Sequence, residues 1–407
     1  MSRFALSLAV FAAGSLFAAA NKDSQSVTYT KDVAPIINKR CIECHRKGEA
    51  APMTFTSYKE VRPWAKAILQ ATSSRKMPPW LADPHYGKFS NDRRMSDKEL
   101  ATISSWVAAG APEGDPKMMP DLPIFAEGWT IGKPDVVIDM GADFEIPASG
   151  TVPYKYFKVP TNFKEDMWIE AAEIRPGVRG AIHHVIVFVQ EPGGKASEFA
   201  NGGNLLTGYA PGEQALEFPK GTAKLVRAGS SFNFQLHYTP NGKAAKDRSY
   251  IGLRFAKAPP VERAVTGNAI NGSFKIPAGA DSHEVKSSTT FKQEVILTGF
   301  MPHMHVRGKD FKYTLVMPDG KEEVLLSVPK YDFNWQLSYE LERPITLPAG
   351  SRIDCVAHFD NSANNKYNPD PTKEVKWGDQ TWEEMMIGWF TYTVPAKKYQ
   401  GTETKSE

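Results

Sequence analysis

The pentapeptide Cys41-Ile42-Glu43-Cys44-His45 constrains this 407-residue chain more than any other feature. Two thiols a short turn apart, followed at once by an imidazole, supply in order two thioether attachment points and an axial iron ligand. A redox dithiol would want a strand-helix-strand context, and half a zinc site would want further Cys or His nearby; neither is visible. The motif therefore reads as the attachment site of one covalently bound c-type haem, held by Cys41, Cys44 and His45.

The residues around the motif are helical in pattern. Asp32 to Lys39 leads into it, Tyr58 to Ala71 repeats apolar residues at helical spacing, and Asp97 to Ala109 follows Ser96 as a capping residue. These segments predict a small all-α, cytochrome c-like domain over residues 21–117. Its sixth iron ligand is expected to be Met77, because Lys76-Met77-Pro78-Pro79 sets a thioether in a rigid segment after the middle helix. Met53 and Met95 compete for that role, and any one methionine can equally be core filling. His85, in an Asp-Pro loop, reads as a surface residue.

A covalent haem of this kind needs an exported chain, and the N-terminus fits. Arg3, an apolar run from Phe4 to Ala13 and the small residues Ala18 to Ala20 form a secretory signal peptide over 1–20, too short to span a bilayer. The mature protein is expected to be periplasmic or secreted, with no membrane span after cleavage. Lys and Arg (49) barely exceed Asp and Glu (46), with no charged block, so nothing points to nucleic acid. With Cys41 and Cys44 used by haem, Cys355 has no partner for an intramolecular disulfide, and stability must come from packed cores and metals.

From about Met118 the pattern changes to short runs rich in Val, Ile, Phe, Tyr and Thr, punctuated by Pro and Gly. Ala181–Val189, Ser231–Tyr238, Glu294–Phe300, Phe311–Val316 and Ile387–Val394 are the clearest. This predicts two all-β jelly-roll-like sandwich domains, 118–270 and 271–407, joined through a linker between Pro259-Pro260 and Asn271-Gly272.

The histidines here are grouped. Alternation puts Phe232, Phe234 and Leu236 on one face of a strand and Asn233, Gln235 and His237 on the other. His303 and His305 are two apart, so in a strand both would point to one side and could share an ion. His183 and His184 are adjacent, and joint ligation needs a bulge, which Arg175-Pro176-Gly177 and Gly180 make plausible. Taken singly each is an ordinary histidine; together they argue for a metal site.

With these motifs in order, residues 118 to about 395 resemble the copper type II, ascorbate-dependent monooxygenase family, which includes the peptidylglycine α-hydroxylating and dopamine β-monooxygenases. His183-His184 is similar to the family's His-His pair and Leu236-His237-Tyr238 to its third histidine segment, which together imply one copper site. Pro302-His303-Met304-His305-Val306-Arg307-Gly308 resembles its H-x-H strand, and Glu383-Glu384-Met385-Met386 its acidic-acidic-Met-Cys segment, whose methionine completes the second site. Imidazoles suit a redox copper in general, whereas two imidazoles with a soft thioether favour Cu(I).

The resemblance implies two copper ions and a reaction in which dioxygen and a small-molecule substrate meet at the copper of His303, His305 and Met385. One oxygen atom enters a C–H bond and the other leaves as water, with ascorbate or a redox protein as electron donor. The fused haem suggests a cytochrome chain feeding the copper of His183, His184 and His237. The chain departs from the family pattern where relatives carry a carboxylate-binding Arg and Tyr, since Met301 and Trp389 stand there. A less polar or aromatic substrate is therefore expected. Met386 replaces a disulfide Cys, and His358 and His283 stay outside the scheme, as a loop residue and an exposed one. The competing reading is a periplasmic haem and copper electron-transfer or copper-binding protein without oxygenase activity.

Overall fold

The computed structural model describes residues 27–49, 51–125, 128–194, 204–210, 213 and 215–396, so the expected leader at 1–20 lies outside the described residues. The chain is mostly β-sheet, with its longer helices confined to the N-terminal part. Among the described residues no helix is long and apolar enough to cross a membrane.

The helical part holds Tyr29–Val33 running into Ala34–Arg40, then Tyr58–Val61, Arg62–Trp64, Ala65–Ser73 and Asp97–Ala108. Pro63 has no N–H to give, so the single helix expected over 58–71 is interrupted by a tighter 3₁₀ turn at Arg62–Trp64. Ser96 caps the last helix: its Oγ accepts the Glu99 N–H at 3.2 Å while Glu99 Oε2 accepts the Ser96 N–H at 2.7 Å. Tyr29, Val33, Ile37, Ile103 and Trp106 form the buried centre of this part. Met95 belongs to the same core, which leaves it a packing residue.

The segment between these helices leaves their core. Trp80 and Phe89 pack on Tyr339 with ring centroids 4.9 and 5.5 Å away, and the Asp83 N–H donates to the Ser327 carbonyl at 2.8 Å. Trp80, Leu81, Ala82 and Phe89 of the expected 21–117 unit thus pack into the core of the far β half.

The strands form two sandwich-like halves sharing one long sheet. That nine-stranded sheet runs in the order Val136–Asp139, Tyr250–Phe255, Met167–Arg175, Thr222–Val226, Glu262–Ile270, Ile387–Pro395, Val295–His303 and Tyr339–Leu347, with Leu216–Glu217 beside Met167–Arg175. A four-stranded sheet of Lys155–Pro160, Ser231–Tyr238, Ile182–Gln190 and Leu205–Tyr209 covers the first half. Another, of His283–Thr290, Arg352–Phe359, Gly308–Val316 and Glu322–Val328, covers the second. The alternating side chains meet between the layers: Phe232, Phe234 and Leu236 with Ile169 and Leu253 in one half, Phe311, Tyr313 and Ile353 with Leu297 and Phe390 in the other.

The linker expected between residues 259 and 272 is not a linker. Glu262–Ile270 is a strand paired over its whole length with Ile387–Pro395, and it meets Thr222–Val226 in parallel, stitching the halves together. Within that strand the lack of a side chain at Gly267 serves packing, since a Cβ there would fall 2.6 Å from the Phe390 ring. A strand shared by both halves thus runs up to the boundary expected at 270.

Candidate metal centre

Strand pairing brings the distant His237 beside the adjacent His183 and His184. Ile182 pairs with Tyr238 and His184 with His237, so His183 is the extra residue of a bulge. A bulge is what lets neighbouring strand residues project to one side, and here Nδ1 of His183 lies 3.3 Å from Nδ1 of His184. The short Arg179–Ala181 turn supplies the irregular lead-in. One nitrogen from each of His183, His184 and His237 lies within 4.8 Å of the others.

These imidazoles are held neutral. Burial pushes His183 down to about 4, His237 to about 3 and His184 well below the ordinary histidine range. Nε2 of His183, Nε2 of His184 and Nδ1 of His237 are buried without a hydrogen-bond partner. Three neutral, desolvated imidazoles gathered this closely are a donor set for a cation, and they fit copper or zinc.

His303 and His305 form the second set. His303 ends its strand, whereas His305 lies just beyond it, so the expected regular H-x-H strand is only half right. Their rings nevertheless stand 5.2 Å apart at 89°. Each ring is oriented through Nδ1: Gln336 Oε1 accepts from His303 at 2.7 Å, and the Glu383 carbonyl accepts from His305 at 3.2 Å. Gln336 Nε2 donates to the Phe333 carbonyl, which fixes its amide and presents the oxygen to His303. Both rings thereby keep Nε2 as a lone-pair donor, and that of His305 is buried and unpartnered.

The turn carrying His305 is built from buried polar groups. Glu384, fully buried, accepts the N–H of His305 at 2.8 Å and of Arg307 at 2.7 Å. Arg307, also buried, lies 3.9 Å from that carboxylate and donates to Asn361 Oδ1 and the Trp382 carbonyl. The Tyr331 hydroxyl accepts the N–H of Met304 at 3.1 Å and donates to its carbonyl at 2.8 Å. Such a network fixes ligands before any ion arrives.

Met385 directly follows Glu384, and Ile387 pairs with His303, so backbone pairing brings the Met385 segment beside the H-x-H turn. Its side chain joins an apolar cluster of Phe188, Leu205, Ile387 and Trp389, flanked by Met301 and Trp377. Met301 and Trp389 thus share one apolar patch with Met385.

At the haem motif, Cys41, Cys44 and His45 occupy one turn after Ala34–Arg40, with the His45 N–H donating to the Cys41 carbonyl at 3.0 Å. Both cysteines are free thiols, and burial pushes Cys41 up to about 12. His45 stacks on Phe55, and its Nδ1 bonds the Met53 carbonyl at 3.2 Å, leaving Nε2 for a metal. Paired thiols and an oriented imidazole fit thioether attachment and iron ligation. Met77 is half-buried and outside the helical core, while Met53 contributes its carbonyl. A cavity of about 790 Å³ lies beside Cys44, lined by Arg46, Glu49, Arg175, Arg179 and Tyr209 among others. Arg179 binds Glu49, tying the haem-motif loop to the lead-in of the histidine bulge.

His358 is not in a loop: it sits in Arg352–Phe359 with Nδ1 2.7 Å from Asp310 and Nε2 3.6 Å from Glu284. His283 starts a strand and is half-buried, and His85 is exposed beside Asp83 as expected. Cys355 is a buried free thiol. The residues that sequence reasoning missed are Tyr154, Phe333 and Gln336, which come from loops without periodicity, and the orienting role of Glu384.

No family model and no curated protein matches the chain. Among solved structures it is similar to the major capsid protein P2 of bacteriophage PM2, at 8% identity over 66% of this chain and 100% of that one, with a TM-score of 0.28. The infectious bursal disease virus Gx strain structure gives 10% identity, 65% and 73% coverage and a TM-score of 0.21. Overlaps this slight bear on neither function nor site.

Proposed function

We propose that this chain is an exported copper-dependent monooxygenase carrying a c-type haem, which hydroxylates a C–H bond of a small molecule. The balanced reaction is substrate C–H plus dioxygen, two electrons and two protons giving the alcohol and water, with electrons from ascorbate or a redox protein. In this reading the N-terminal helices are a cytochrome c-like unit and the two β halves are jelly-roll-like. The observation that carries it is the pair of histidine sets, each with neutral rings and an imidazole nitrogen left for a metal.

Copper supplies one-electron chemistry and affinity for dioxygen when bound, and haem supplies a reservoir of electrons. His183, His184 and His237 would hold one copper, His303, His305 and Met385 the other, and Cys41, Cys44, His45 and Met77 the haem. The chain itself orients each imidazole through Gln336 and the Glu383 carbonyl. It also desolvates the rings and offers apolar Met301 and Trp389 where a polar substrate would need charge. That lining supports an apolar or aromatic substrate.

The second reading, electron transfer or copper binding without oxygenation, gains from the same patch. Phe188 and Leu205 of one half already pack against Met385 and Trp389 of the other, filling space a substrate would use. Metal and haem quantitation on the purified chain, with oxygen uptake in the presence of small aromatic compounds, tests both. Two coppers, one haem and substrate-stimulated uptake are expected; full metal loading without stimulated uptake favours the second reading. A Met385→Ala chain should bind Cu(I) more weakly while retaining one copper, and unchanged Cu(I) affinity would remove Met385 from the site.

A further inference from the structure

The loop between Glu322–Val328 and Tyr339–Leu347 of the second half reaches over the histidines of the first. Its Phe333 ring lies flat on His183, with centroids 4.8 Å apart and planes 13° from parallel, the spacing of an offset stack. The same ring meets His237 at 6.0 Å and 47°. Among the described residues Phe333 belongs to none of the apolar clusters that build the two halves. Its ring therefore covers imidazole instead of filling a hydrophobic core.

The loop is pinned on both sides of that ring. The Tyr331 hydroxyl brackets the backbone of Met304, accepting its N–H at 3.1 Å and donating to its carbonyl at 2.8 Å. Gln336 Nε2 donates to the Phe333 carbonyl at 3.2 Å, and the Ser338 N–H donates to Glu213 Oε1 of the first half at 2.8 Å. His237 is reached from the second half as well, since Thr381 Oγ1 lies 3.4 Å from its Nε2. Two of the three imidazoles of the first set are thus contacted by residues of the opposite half, and the loop's own bonds, not an ion, hold Phe333 over His183.

We propose that Phe333 is a positioning residue of the first copper set: it fixes the plane of the His183 ring and keeps water from it, so that the set favours the singly charged copper ion. This rests on the reading of His183, His184 and His237 as a copper site. The reason is electrostatic. Solvation free energy grows with the square of the charge, so excluding water costs a dipositive ion roughly four times what it costs a monopositive ion of equal size. Neutral imidazoles return no opposite charge to compensate, and an apolar shell around a metal shifts its redox preference accordingly. Such a bias suits a copper whose task is to take up and hold one electron.

The test is made on the full-length, haem-loaded chain. Copper(I) and copper(II) affinities are measured anaerobically by competition with chelators, and a His303→Ala background identifies which constants belong to the first set. Phe333→Ala should lower the ratio of copper(I) to copper(II) affinity at the first set about tenfold and change the copper(II) paramagnetic resonance spectrum of that set. Phe333→Tyr, which keeps the ring, should leave both at the unsubstituted values. Phe333→Gln, which puts a polar side chain over His183, should move the ratio in the same direction as alanine. A parallel fall of both affinities, or a ratio that does not move, would overturn the role of Phe333 and leave the proposed function standing. If the unsubstituted chain binds no copper at the first set, the function reading itself fails, and this inference with it.

Discussion

The carboxylate of Glu384 accepts the backbone N–H of His305 at 2.8 Å, with both residues fully buried. Its other oxygen takes the N–H of Arg307, so one side chain shapes the whole turn after His303. Glu384→Gln keeps the size but puts an amide donor against one of those N–H groups. A loss of ~1–3 kcal/mol in unfolding free energy is expected by denaturant titration. Arg307→Met should cost a comparable ~1–3 kcal/mol, because it takes the donor away from Asn361 Oδ1 and the Trp382 carbonyl.

Gln336 meets the centre through His303 Nδ1, at 2.7 Å. Gln336→Leu removes the acceptor that fixes the ring's tautomer and leaves its volume filled. Copper affinity at the His303 and His305 set should fall ~10–100-fold, with the other set unchanged, in competition with a copper chelator. An equal fall at both sets would contradict this assignment.

The bulge at His183 makes the first set possible, so its contribution should be lost one ion at a time. His237→Ala should lower copper from two to one per chain by elemental analysis while leaving the haem optical spectrum unchanged. A chain that still binds two coppers would place the first ion elsewhere.

Lys224 is buried, and its ammonium donates to Thr266 Oγ1 at 2.7 Å and to the Leu205 carbonyl. Burial, with the Arg263 guanidinium adding repulsion, lowers it to about 7 from the ordinary lysine value of 10.5. Between those values the unfolded chain binds the proton and the folded chain releases it, so folding is favoured increasingly as pH rises. Unfolding free energy should climb from pH 7 toward 10.5 with a slope of up to ~1.4 kcal/mol per pH unit from this group. Lys224→Met should remove that component, which denaturation at pH 7, 8 and 9 measures.

Arg179 binds Glu49 of the haem-motif loop and lies over the Tyr209 ring at 5.9 Å. Arg179→Ala should release the loop from the β half without touching either histidine set. Faster amide hydrogen exchange across residues 42–49, with copper stoichiometry unchanged, is the expected result.

By itself the sequence determined what local rules can carry. Alternation placed Phe232, Phe234 and Leu236 in a core and His237 opposite, and the Ser96–Glu99 capping box opened the last helix where expected. The need for irregularity at His183-His184 was also legible, because adjacent strand residues cannot share an ion without it. Only the tertiary structure decided how the pieces meet. The stretch between Pro259-Pro260 and Asn271-Gly272 is a strand because it pairs with Ile387–Pro395, and the segment from Trp80 to Phe89 belongs to a core formed with Tyr339 and its neighbours far along the chain. Tyr154, Phe333 and Gln336 carry no periodic signal, since their roles depend on long-range register and on loops folded across it. Which imidazole faces which ring is set by packing between distant strands, and that free energy is gained only once both halves are folded together.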